Sequence, residues 1–586
     1  MSISRFVFGI AAGAVLLFGA PSARQEIVAQ DQTASAETGS VTSNVAAESR
    51  DMADAPDITA QPIGQPRAVP PPRSGVPEAV YRGRKQASAI ASNAPGGAIG
   101  EAPTLLPGGA GDVGILTPGA TRSFEGLNQG QCGFIPSDHG IGVGTQFIVQ
   151  ALNGCVLVLD KNTGAIPVGW PKSLNAFFGA PASAFIFDPR VLFDKGANRY
   201  IVIAEEWTGT FGFVRIAISR TASPTGLWWF YTVGVPTTVA NDFPDFPTLG
   251  VDKEIIYVCT TVFKTAGGID DVCQFLPKAK MINGQAIGAF FFAFNFNVGG
   301  VRLDSIQPAN VGAFSKDFPR AGFLVASRNI NFGGGQCALG CNGIVVYAVS
   351  NALLVAGSPG IVITGVNVPT ANNYVFPPNA LQPGCGSPGS LCAIDTLDTR
   401  ITGQVTYTNG SLWASLNTKR SGNNTSTVLW FQIRPFLNDG NAACTGSFLN
   451  KCAQLTGAEL LNEDCYFCGG RGNSGSDWNA VPVSNSEGDV TMVASYSDLS
   501  FFPGVFYVSR RVTQAKNSMH DAGIFLAVGQ AFYQRLDQFN RNRWGDYSAA
   551  QIDNLDQMYF AAQYSGAGNI WRTRIGRNAF TARNQP

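Results

Sequence analysis

Acidic and guanidino side chains recur along this chain in a pattern that suits acid–base chemistry or the capture of a polar ligand. Asp138 and His139 come first, then Asp188 and Arg190, Asp242 and Asp245, Gln307 and Asn310, and Asp395, Asp398 and Arg400. Asp477 and Trp478 follow, and the series ends on Arg543, Trp544, Asp546 and Tyr547. Two carboxylates suffice to hydrolyse a glycosidic bond, one donating a proton while the other serves as base or nucleophile. Asp138, Asp188, Asp398 and Asp546 are the candidates for those catalytic roles. Arg190, Arg400 and Arg543 can grip a ligand carboxylate through paired hydrogen bonds. His139, Asp245, Trp478, Trp544 and Tyr547 complete the candidate ligand-binding set, with the tryptophans offering flat faces to sugar rings. A structural reading competes at each position: an Asp ahead of a strand caps turn amides, and an Asp–Arg pair ties neighbouring units together.

Composition narrows the chemistry. The chain has only 2 histidines among 586 residues, so a His-rich metal site is excluded and any imidazole mechanism must use His139 or His520. No metal ligand set or cofactor is assigned, although a structural calcium ion held by the aspartates is a third reading. Lys+Arg and Asp+Glu are equal at 40 each, so no net field draws in nucleic acid or an anionic membrane. Charged residues make up 14%, against roughly 25% in ordinary soluble domains. Together with 68 Gly and 40 Phe, this suits an all-β chain with many turns.

The elements that must position these residues repeat. Arg543–Ser548 leads into a short alternating run, 549–552, then an Asp/Asn turn, a second run at 558–562, a Gly turn at 566–568 and a third run. That is a three-strand antiparallel meander. Upstream, Asp188–Asp194 leads through Gly196-Ala197-Asn198 to runs at 200–205, 213–219 and 228–233. Seven such units, spaced roughly 60 residues apart, predict a seven-bladed β-propeller over 121–577. The last unit supplies only three strands, so a strand around Arg122–Gly126 is free to complete it and close the ring. In that arrangement the residues before each innermost strand converge on one mouth of the central channel. Two packed sandwiches are the alternative architecture.

Residues 1–23 read as a signal peptide, with Arg5, an apolar stretch from Phe6 to Phe18, and Ala20-Pro21-Ser22-Ala23. An uncleaved anchor is the competing reading. From 24 to 120 the chain is rich in Pro, Ala, Ser and Gly without apolar periodicity, which predicts a disordered linker. Residues 578–586 form a tail. Export to the extracellular space or periplasm follows, with no membrane span once the signal is removed.

The stretches Pro136-Ser137-Asp138 to Lys161, Asp188-Pro189-Arg190-Val191-Leu192-Phe193-Asp194 with Asn198-Arg199-Tyr200, and Arg543-Trp544-Gly545-Asp546-Tyr547-Ser548 carry a resemblance. Over most of 122–577 the chain resembles a family of exported bacterial β-propeller proteins of uncertain activity. The resemblance implies the fold and export, and no reaction.

An exported chain with 12 cysteines suggests disulfides. Sequence-near pairing gives Cys132/Cys155, Cys259/Cys273, Cys337/Cys341, Cys385/Cys392, Cys444/Cys452 and Cys465/Cys468. A zinc site from Cys444, Cys452, Cys465 and Cys468 is the rival, weakened by irregular spacing. Gly384-x-Gly386-x-x-Gly389 has no helix behind it, and Gly140-x-Gly142-x-Gly144 leads into a strand, so neither reads as a dinucleotide loop. The favoured function is a secreted propeller that binds a glycan or an extracellular protein at the channel mouth. The alternative is a carbohydrate-active enzyme, glycoside hydrolase or polysaccharide lyase, using the rim carboxylates and arginines.

Overall fold

The structure, a computed structural model, describes residues 33–58, 67–68, 81, 85, 117, 119–311, 319–328, 341–354, 360–419, 424–438, 452–466, 475–519, 523–578 and 580. The signal segment lies outside these residues. The described chain is nearly all-β, with only short helical turns such as Gln129–Cys132, Leu174–Phe178 and Lys278–Ile282. No described helix is long and apolar enough to cross a membrane.

Antiparallel meanders follow one another along the sequence. They open with the strands Gly140–Val143, Phe185–Asp194, Phe243–Val251, Gln307–Val311, Val405–Thr408, Ser476–Ser484 and Ala549–Ile552. Each opening strand packs beside its counterpart in the next meander, and Ala549–Ile552 packs beside Gly140–Val143, so the succession returns to its start. Gln307–Val311 and Val405–Thr408 even pair in parallel. Packed on both faces, these strands are buried along nearly their whole length. They consequently lack the clean in–out alternation of a half-exposed strand. Outer strands such as Leu227–Gly234 alternate more, on either side of the adjacent buried pair Phe230 and Tyr231.

Glycine sets how closely the opening strands approach. A Cβ on Gly142 would lie 2.9 Å from the Leu192 carbonyl carbon, and one on Gly140 2.7 Å from the Val191 nitrogen. Gly250 against Ala309 repeats this close contact between opening strands, and Gly403, just ahead of Val405–Thr408, lies as close to Ala480. The Gly140-x-Gly142 spacing therefore serves strand packing.

The expected fourth strand of the last meander is present. Arg122–Asn128 pairs antiparallel with Ile570–Arg577, joining the start of the repeating region to its end. Gln150 reinforces the seam, accepting from the Leu127 N–H at 3.0 Å and donating to Thr573 Oγ1 at 3.2 Å.

The 24–120 stretch differs from the expectation of disorder where it is described. Thr33–Ser43 pairs along Gly288–Val298 and reaches Val362–Val368, while Glu48–Asp51 pairs along Leu227–Phe230. These segments cover outer sheet edges whose backbone donors and acceptors would otherwise face water unpaired. An edge asks for extended backbone rather than apolar side chains, so composition gave no sign of it.

Disulfides join Cys132 to Cys155, Cys259 to Cys273 and Cys385 to Cys392, as sequence proximity suggested. Cys341 and Cys452 are also disulfide-bonded, which removes Cys452 from the zinc reading. Cys337, Cys444 and Cys468 and the side chain of Cys465 lie outside the described residues. In the expected tail, Phe580 is buried beneath the Arg511 guanidinium, 3.8 Å from its ring centroid.

The close strand approach makes a prediction. Gly142→Ala forces a Cβ against backbone and should cost about 1–3 kcal/mol, read as a lower unfolding midpoint. Gly386→Ala, with nothing within 4 Å of its Cβ position, is the control and should leave the midpoint unchanged.

Candidate functional site

A local backbone device brings the candidate residues together. Register shifts interrupt pairing between Phe187 and Arg190, Asp245 and Thr248, and Trp478 and Val481. Each shift holds one residue in the left-handed region: Asp188 at φ 50°, Phe246 at 57° and Asn479 at 54°. Asp138 (44°) and Leu397 (56°) take the same conformation ahead of their own opening strands. Asp and Asn tolerate it, whereas for Phe246 and Leu397 it costs of order 1–3 kcal/mol each, a strain the surrounding packing must hold. Repeated in successive meanders, the kink turns acidic side chains toward the common interior.

What assembles there is a buried charge network. Asp138 Oδ1 accepts from the Asp546 backbone N–H at 2.5 Å, and its Oδ2 accepts from the Asn153 amide at 2.6 Å. Asn153 also accepts from the Asp188 N–H at 2.7 Å, bridging two meanders. Arg543 Nη2 donates to both oxygens of Asp546, at 2.8 and 2.9 Å. Arg400 clasps Asp398 at 2.9 and 2.7 Å. Arg190 donates to the carbonyls of Pro247 (2.8 Å) and Thr402 (3.3 Å), with its guanidinium carbon 3.1 Å from the Tyr547 ring centroid. Phe246 lies edge-on to Tyr547 at 5.8 Å and also faces Arg400 at 4.9 Å.

Protonation preferences divide within this network. Burial, then the neighbouring Asp546 and Asp188, hold the Asp138 carboxyl well above the ordinary range. Asp245 is held high by burial and by Asp188 and Asp546, and Glu205 by burial and by Asp245 and Asp188. Burial and Asp546 push Asp188 up to about 6. For Asp398 burial acts in the same sense, but the Arg400 charge and its hydrogen bonds outweigh it and leave the carboxyl below its usual value. Burial lowers His139 to about 3, so its imidazole is neutral. Its Nε2 lies 3.1 Å from Ser137 Oγ.

Several buried atoms in the network have no hydrogen-bond partner: Asp188 Oδ1, Asp245 Oδ2, Arg190 Nη2, and Arg543 Nε and Nη1. The adjoining cavity, lined by His139, Arg190, Leu249, Gln307, Gln404 and Ser548, has room for only about one water. A roomier pocket lies between Asp395, Arg541, Asn542, Ser390, Tyr81 and Lys85.

The structure gathers Asp138, Asp188, Asp245, Asp398, Asp546, Arg190, Arg400, Arg543 and Tyr547 into one network. They are buried rather than open at a rim, with Asp138 0% and Arg190 7% accessible. Trp478 and Trp544 offer no face to a sugar: their rings pack 6.0 Å apart within the apolar core, and Trp544 donates to Ser495 Oγ at 2.9 Å. Asp242 stands apart, capping the Val239 and Thr265 amides beside Lys264. Asn153, Glu205, Tyr81 and Lys85 were missed. The first reads as a plain Asn-Gly turn, the second as a strand residue and the last two as linker. Among the described residues, no three His, Cys, Asp or Glu side chains are grouped to hold a metal ion.

No family model matches the chain, and neither does any curated protein. Among solved structures, a Trypanosoma rangeli sialidase in complex with sialic acid is 12% identical with a TM-score of 0.30. The match covers 72% of this chain and 57% of that one, so this chain spans a little over half of the sialidase. A thermostable family-43 glycoside hydrolase is 10% identical with a TM-score of 0.27, over 69% of this chain and 96% of that one. Likenesses this distant carry no argument about this chain.

The network predicts a pH signature. Asp188 holds its proton more tightly in the folded chain (about 6) than unfolded (~3.9), so it destabilises the fold as pH rises from ~4 through about 6. Asp188→Asn should therefore gain on the native protein over that window, approaching ~3 kcal/mol above pH 6. Thermal unfolding of both proteins between pH 4 and 8 measures it. A pH-independent difference would contradict the assignment.

Proposed function

We propose that this chain is an exported seven-bladed β-propeller, closed by its N-terminal strand, that binds a polar ligand of glycan or extracellular-protein type at the mouth of its central channel. Membership in the family of exported bacterial propellers is part of this proposal and rests on the Arg543–Ser548 motif. Disulfides among the described residues fit an oxidising compartment.

The observation that carries the binding reading is the unpaired hydrogen-bonding capacity of Arg190 and Arg543, buried beside Asp188. A buried donor left unmade costs about 1–3 kcal/mol, more when charged, and the adjoining cavity has room for only about one water, so a single ligand group or an ordered water, rather than a whole sugar, is expected to complete these groups. A glycan array probed with the mature chain tests this. Saturable binding is expected, weakened at least about tenfold by Arg190→Lys, which keeps the charge but loses the planar fork. An array with no signal would contradict the glycan form of the reading.

The split between Asp188, near 6, and Asp398, held ionised, favours glycoside hydrolysis as a second reading. Asp188 would give the proton. Asp398 is already engaged by Arg400, so it would act as an electrostatic stabiliser rather than a nucleophile, with water attacking the oxocarbenium carbon and returning a proton to the Asp188 carboxylate. Reducing-sugar release that Asp188→Asn abolishes while array binding persists would support this reading. No release by the native chain would leave binding alone.

A further inference from the structure

The Asp395 pocket already holds a guest from the chain itself. Tyr81, only 3% accessible, donates its hydroxyl to Asp395 Oδ1 at 3.1 Å. Lys85, 7% accessible, places its ammonium 3.3 Å from the same oxygen and donates to Thr396 Oγ1 at 3.0 Å. The ammonium lies 5.3 Å from the Phe376 ring, the Tyr81 ring packs edge-on to Phe376 at 5.4 Å, and the Arg541 guanidinium lies over the Tyr81 ring at 5.2 Å. An acidic floor, an aromatic wall and two inserted side chains four residues apart have the anatomy of a peptide-recognition site.

The same stretch of chain is tied down on both sides of this contact. Ile58 donates to the Pro171 carbonyl at 2.8 Å, and Thr117 accepts from the Ser509 N–H at 3.2 Å. Tyr81 and Lys85 thus reach the pocket as tethered side chains, at an effective concentration that a free competitor meets only in the millimolar range. The pocket also has room beyond them, between Ser390, Asn540 and Asn542.

We infer that Tyr81 and Lys85 are an intramolecular stand-in for a lysine-bearing peptide, and that the Asp395 pocket takes the primary ammonium and neighbouring aromatic ring of an extracellular protein partner once they are displaced. This rests on the reading of the channel mouth as the ligand site and narrows its ligand to a basic, aromatic peptide. Asp395 supplies the counter-charge, Thr396 a directional acceptor, and Phe376 a cation–π surface.

The test titrates a fluorescent peptide, Tyr-Arg-Gly-Arg-Lys, with the full mature chain by anisotropy. The Tyr81→Ala/Lys85→Ala variant should bind it saturably, and the native chain at least about tenfold more weakly. Adding Asp395→Asn should abolish binding, as should replacing the last residue of the peptide with norleucine. Lys85→Met alone, which keeps the Tyr81 packing, should show intermediate affinity and guards against misfolding of the double variant. Failure of both variants to bind, with native circular dichroism, would overturn the inference. So would competition by glucosamine at the same concentration as the peptide, because the site would then read an ammonium on any carrier. Array binding by the native chain without peptide binding by either variant would sink this inference alone. Silence in both assays would sink the mouth as a ligand site altogether.

Discussion

Buried charge that must be neutralised by charge from distant parts of the chain is the constraint on which this molecule depends. Asp138, Asp188, Asp245 and Asp546 lie within electrostatic reach of one another and of Arg190, Arg400 and Arg543, all of them almost wholly buried. An isolated ion in such a place loses several kcal/mol of hydration. Only mutual compensation, together with protonation of the carboxyls that find no cation, makes the arrangement tolerable. Arg543 satisfies Asp546 and Arg400 satisfies Asp398, while Asp138 leans on a backbone amide and an asparagine. The pairs are local, but the network exists only because strands from across the whole chain arrive at one place.

Two backbone features enforce that arrival. Glycines at 140, 142 and 250 let opening strands touch backbone to backbone, and left-handed residues turn the segments before or within those strands. The pairing of Arg122–Asn128 with Ile570–Arg577 then fastens the two ends of the succession. Edge segments from the N-terminal stretch add a further seal by covering the outer strands of three meanders. The stability of the interior charges is thus coupled to contacts at the periphery.

The fold was more legible than the site, for physical reasons. Turn residues and short runs mark meanders wherever they occur, and cysteines close in sequence could pair without long loop closure. The Asp and Arg positions were legible as a converging set because each stands shortly before an opening strand or near its start. Their burial was not, because an Asp that caps, pairs or binds looks the same in sequence. Trp544 illustrates the loss: its neighbours Arg543 and Asp546 face the charge network while its own ring joins the core. Thr33–Ser43 and Lys85 were illegible for another reason. What holds them is the surface they dock against, a free sheet edge in one case and Asp395 in the other.

The contact between Arg190 and Tyr547, 3.1 Å from guanidinium to ring centroid across 357 residues of chain, probes the convergence most directly. A double-mutant cycle with Arg190→Met and Tyr547→Leu, followed by denaturant unfolding, measures their coupling. The account predicts non-additivity of about 1–2 kcal/mol. Effects that add to within about 0.3 kcal/mol would mean that these strands do not meet, and the charge network would go with them.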